Sequence, residues 1–182
     1  MRKYIGNSLI IVFATMYLYY KLNQYLFKIM ENENIKDIIN ELQHLMYGYN
    51  YQVTFGIDIF EKCTNLDDFN LKLKEFHSDS RPEAILPKLI SATLFWQEIN
   101  ACFAYRGDED AGLSLSKKEE IKLANTLTKY KHYINQFINE GTKIYCYPDE
   151  QGIPGYPVYW DYRFILFDND DKCVFVYGSA SD

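Results

Sequence analysis

Val158-Tyr159-Trp160-Asp161-Tyr162-Arg163-Phe164-Ile165-Leu166-Phe167 is followed by Asp168-Asn169-Asp170-Asp171 and then by Lys172-Cys173-Val174-Phe175-Val176-Tyr177. Two runs of aromatic and β-branched residues separated by a short polar, Asn/Asp-rich break have the composition of two strands joined by a hairpin turn. Alternation along the first run sets Trp160, Tyr162, Phe164 and Leu166 on one face and Tyr159, Asp161, Arg163, Ile165 and Phe167 on the other. The turn Asp168–Asp171 lacks the Gly and closing Glu of a calcium loop, so it is read as a turn.

Working outward, Lys143-Ile144-Tyr145-Cys146-Tyr147 forms a further strand over 142–147, and Gly152 to Pro157 is a rigid connecting loop containing Tyr156. Upstream, Tyr49, Tyr51, Val53, Phe55, Ile57 and Ile59 fall on alternate positions, which predicts a strand over 49–59 with one buried face and a bulge at Gly56. Helical spacing of apolar residues predicts helices over 34–46, from Thr64 to Phe76, over 89–104 and from Ser116 to about Asn139. Ser116 with Glu119 has the form of a capping box, as has Ser80 with Glu83, and Gly141 is placed as the C-terminal stop of the last helix. Between Leu89 and Phe103 only Glu98 is charged, so this helix is taken as the buried spine under the sheet. The resulting fold class is α+β: about four helices packed on a small antiparallel sheet of three to four strands, ending in a C-terminal β-hairpin.

The 182 residues fit one domain with an N-terminal appendage. Residues 1–29 contain Arg2, Lys3, Lys21 and Lys28 and no acid. Taking those 4 bases from the total of 19 leaves 15 against all 25 acids, so residues 30–182 carry a net charge of −10. A body this acidic repels nucleic acid and anionic membrane surfaces and suits a basic protein partner. Ile5 to Tyr20 carries no charge and is flanked by bases and tyrosines. It reads as a membrane anchor, as a cleaved signal peptide lacking a good cleavage site, or as sequence upstream of a true start at Met30. The protein is cytoplasmic under the last reading and anchored in the inner membrane under the first.

Motifs for common chemistries are missing. No H-E-x-x-H, G-x-S-x-G, G-x-x-x-x-G-K-[ST] or G-x-G-x-x-G occurs. Cys63, Cys102, Cys146 and Cys173 form no C-x-x-C pair and each lies in or beside an apolar run, as buried reduced thiols do. His44, His77 and His132 have no metal-ligand spacing. No cofactor or metal is expected.

These exclusions point to a non-enzymatic protein-binding domain. One concrete form is a bacterial toxin-neutralising immunity protein that binds a basic partner. Two other readings are a membrane-anchored envelope domain and an enzyme whose site is assembled from scattered residues. Tyr, Trp and Arg are enriched at binding hot spots, so the candidate partner-binding residues are Tyr159, Asp161 and Arg163 on one strand face, Tyr156 in the preceding loop, and the acidic loop Asp108, Glu109 and Asp110.

Overall fold

The computed structural model describes residues 34–77, 87–108, 112–147, 159–167 and 171–182. Its helices are α1 (Ile35–Leu45), α2 (Leu66–Phe76), α3 (Ala92–Ala104) and α4 (Lys117–Asn135). Its strands are β1 (Gln52–Glu61), β2 (Lys88–Ile90), β3 (Lys143–Cys146), β4 (Trp160–Phe167) and β5 (Lys172–Ser181). Of the chain's two units, Met1–Asp37 and Ile38–Asp182, the second holds the whole sheet.

The strands form one antiparallel sheet in the order β1-β5-β4-β3-β2. The α+β class therefore holds, with five strands where three to four are expected. The extra one, β2, falls where the sequence predicts the start of a helix. Ser91 decides the boundary: its Oγ accepts the Leu94 N–H at 3.2 Å and caps α3. The three residues before it are left free to pair with β3, Ile90 opposite Ile144.

Other boundaries shift for equally local reasons. β1 begins at Gln52 because Asn50 takes a left-handed φ of 46°, leaving Tyr49 and Tyr51 in isolated bridges. α2 is capped by Asn65, whose Oδ1 accepts the Asp68 N–H at 2.9 Å. α4 opens on the Ser116–Glu119 capping box but is capped at Gln136, short of Gly141. No bulge interrupts β1 at Gly56. That glycine pairs in register with Tyr177, and a Cβ there would lie 2.0 Å from the Tyr177 ring. The expected box at Ser80–Glu83 lies outside the described residues.

Both faces of the sheet are covered. On one, Phe95 of α3 packs edge-on against Phe164 at 4.7 Å, and Phe103 meets Phe55 at 5.3 Å. Tyr130 of α4 closes this layer, hydrogen-bonded hydroxyl to hydroxyl with Tyr162 at 2.9 Å. On the other face, Phe69 of α2 lies 5.2 Å from Phe175 and 6.0 Å from Phe60. Leu73, Cys63, Ile165 and Cys173 complete that core. α3 is buried along one side only. Ala92, Ala101 and Ala104 face water, which small side chains tolerate, so the helix is not buried all round as its composition implies.

Two predictions follow from this packing. Tyr130→Phe strands the buried Tyr162 hydroxyl and should cost about 1–3 kcal/mol in urea unfolding. The Tyr130→Phe/Tyr162→Phe double variant should cost clearly less than the sum of the two single changes; additive costs would mean that the hydroxyls are not coupled. The second concerns alkaline pH. Burial raises the hydroxyl pKa of Tyr51, Tyr130, Tyr147, Tyr162 and Tyr177, and pushes the Cys102 thiol up to about 12. Unfolded thiols and phenols titrate near ~8.5 and ~10, so the unfolded chain gives up protons first. Stability is thus fully present below about pH 8.5 and is lost as pH rises through the folded values. Urea midpoints measured in reductant should fall steeply from pH 8 to pH 11, and a flat profile would contradict the burial of these groups.

Candidate functional site

Asp161 and Arg163 lie on the α2 face of β4 and pair with each other, Arg163 Nη1 to Asp161 Oδ2 at 2.5 Å. Only 5% of the Arg163 side chain meets solvent. The Arg163 guanidinium is thus enclosed, while the Asp161 side chain, 21% exposed, lies nearer the surface, and the two residues expected to share a face do so as an ion pair. A guanidinium this enclosed is held by its carboxylate, since an unpaired buried charge is strongly unfavourable.

Tyr159 does not share that face. Regular strand geometry starts only at Trp160, with the Tyr159 N–H bonded to Ala180 O at 3.1 Å. Its ring turns to the α3 side and meets Tyr51 at 5.6 Å and Tyr105 at 5.7 Å. Tyr51 and Tyr105 are themselves 6.1 Å apart, so the three rings are mutual neighbours. Asp108 joins them: its Oδ1 accepts from the Tyr105 hydroxyl at 2.6 Å. Two of the expected residues, Tyr159 and Asp108, are thus brought together through a third that the sequence does not single out. Glu109, Asp110 and Tyr156 lie outside the described residues.

This cluster sits at the end of the sheet where β1 and β4 begin and β5 finishes. Backbone bonds clamp its loops together. Tyr49 and Gly112 exchange N–H···O bonds of 3.2 and 2.8 Å, and Leu113 N–H bonds to Arg106 O at 2.8 Å. Gly112 has φ 125°, and a Cβ there would fall 2.1 Å from Arg106 O, so only glycine fits. The clamp leaves Tyr47 and Tyr49 projecting, 63% and 78% exposed. Tyr51 is buried, while Tyr105 and Tyr159 are half-buried and Asp108 is exposed.

The hydroxyls are committed. Tyr51 Oη accepts from Trp160 Nε1 at 2.8 Å and donates to Tyr105 O at 3.5 Å, and Tyr159 Oη donates to Asn50 O at 3.1 Å. The hydrogen bond to Asp108 pushes the Tyr105 hydroxyl up to about 12, keeping it neutral and donating throughout the physiological range. Arg106 is the nearby cation, and Glu120 answers it at 3.5 Å. Among the described residues, this surface offers rings and one carboxylate.

Elsewhere, His77 Nε2 lies 3.0 Å from Asp58 Oδ2 beside the edges of Phe175 and Tyr177, a second contact missed in sequence because its partners are 19 residues apart. Cys63, Cys102 and Cys173 are buried and Cys146 is half-buried. Among the described residues no group of His, Cys, Asp and Glu side chains could hold a metal ion. Nor, among them, is any helix long and apolar enough to cross a membrane; the apolar run 5–20 lies outside them.

No known family and no curated protein matches the sequence. The fold does have solved counterparts. A crystal structure of citrus MAF1 superimposes with TM-score 0.56 at 14% identity, covering 82% of this chain and 99% of that one. A second crystal form of citrus MAF1 gives TM-score 0.51 at 13% identity, covering 80% and 97%. Likeness at this identity establishes a shared fold.

Arg163→Met should destabilise the fold by about 3 kcal/mol, because it leaves Asp161 without its guanidinium. Thermal unfolding would show it as a lowered Tm. An unchanged Tm with weakened partner binding would instead make Arg163 a recognition residue.

Proposed function

We propose that this protein is a non-enzymatic binding domain that takes a basic protein partner on its tyrosine-lined sheet end. The observation that carries the proposal is the clamped edge, where the loop that projects Tyr49 is tied to Gly112 and where Tyr105, Tyr159 and Asp108 cluster. Tyrosine supplies large, rigid contact area at low entropic cost and is a frequent binding hot spot. The charge of residues 30–182 supports the choice of partner, since an acidic body steers a basic protein toward it and speeds association. Neutralisation of a basic toxin by an immunity protein is one form that such binding takes, and the acidity of residues 30–182 supports it.

The test uses the full chain, tagged and recovered from its native cells. It should retain one stoichiometric partner with an excess of Lys and Arg, and the complex should weaken as salt rises. Tyr49→Ala should weaken the purified complex about tenfold or more, the loss typical of a hot-spot residue. A partner that is acidic, or a complex indifferent to both salt and Tyr49→Ala, would overturn the proposal.

A further inference from the structure

We infer that the cluster of Tyr51, Tyr105 and Tyr159 with Asp108 is a seat for a single arginine side chain presented by the partner. This rests on the binding reading above and names the group that the surface recognises. The three ring centroids lie 5.6–6.1 Å apart and the rings are inclined 33–41° to one another, so they are not stacked face to face. A cation on such a group lies within the ~6 Å reach of cation–π attraction to more than one ring at once.

The hydroxyl protons are committed, Tyr51 and Tyr159 donating to backbone carbonyls and Tyr105 to Asp108, so these hydroxyls offer a ligand only acceptor lone pairs. What remains is ring surface on the half-buried Tyr105 and Tyr159, backed by the buried Tyr51. Asp108 stands at the margin, exposed, with Oδ1 engaged by Tyr105 and a second oxygen on the same carboxylate. A planar cation that stacks on an aromatic ring and also donates to a carboxylate matches this pair of features. Guanidinium does both, whereas the ammonium of lysine is a strongly hydrated point charge that does not stack. Among the described residues the nearby cation is Arg106, whose Nη2 is turned to Glu120 at 3.5 Å. The Tyr105–Asp108 bond has a second effect: it holds the carboxylate beside the rings before a ligand arrives, which lowers the ordering cost of binding.

The test titrates the purified full chain with N-acetyl-arginine methylamide, its lysine analogue and its citrulline analogue, followed by NMR of the tyrosine ring protons. The arginine compound should shift the Tyr105 and Tyr159 resonances saturably. Citrulline, which keeps the shape and loses the charge, should leave them in place at the same concentration, and lysine should bind more weakly than arginine. Asp108→Asn, a surface change that preserves the fold, should weaken arginine binding about tenfold, as the loss of a charge-assisted hydrogen bond does. Equal shifts from arginine and citrulline, or an Asp108→Asn protein that binds arginine as well as the parent, would overturn the seat. Should a basic partner be captured and bind Tyr105→Leu and Asp108→Asn proteins with unchanged affinity, the seat fails while the binding function stands. Saturable arginine binding in a protein that captures no basic partner supports the seat and overturns the function.

Discussion

β5 pairs with β1 on one side and with β4 on the other, and Cys173 to Ala180 are buried along its whole middle. A strand enclosed in this way has no face to give to water, so each side of the sheet must be covered by something apolar. The helices divide that task. α2 brings Phe69 and Leu73 to one face, and α3 and α4 bring Phe95, Phe103 and Tyr130 to the other. The small residues in the central register are part of the same solution. Gly56 makes room for the Tyr177 ring and Gly178 for Tyr162, so large aromatics from one strand lie over glycines of the next.

The same pairing creates the proposed site. Because β1 begins, β5 ends and β4 begins at one end of the sheet, the turn before β1 and the loop after α3 meet there with Tyr159. The tyrosine cluster draws on segments 51, 105 and 159, which are far apart in the chain and adjacent only because β5 aligns its two neighbours. The proposed surface is therefore held by the best-buried part of the molecule. Tyr51 shows the link in one residue: it is fully buried, its ring backs the cluster, and its hydroxyl ties Trp160 of β4 to the α3 loop.

Shared architecture with citrus MAF1 shows that this chain order and sheet are compatible with very different sequences. At such distance the likeness is one of fold, and function resides in the side chains placed on a fold. The features argued here, the tyrosine cluster and its carboxylate, belong to this chain's own loops.

Much of the architecture is legible in the sequence because it depends on local periodicity. The alternation in 158–167 and 172–177 yields β4 and β5, and the Ser116–Glu119 box opens α4 where it does. β2 escapes notice, since three residues after a proline show no period and Ser91 caps the next helix unannounced. Of the expected site residues, Asp161 and Arg163 are correctly placed on one face, but alternation says only which residues share a face, not whether that face meets water. The packing of α2 and its neighbours leaves Arg163 enclosed and Asp161 partly exposed, which no periodicity could have told. Tyr159 and Asp108 are recognisable as binding residue types, yet nothing in the chain joins them. Their meeting through Tyr105 is a long-range contact, set by strand pairing and by the backbone clamp at Gly112, and therefore visible only once the tertiary structure has formed.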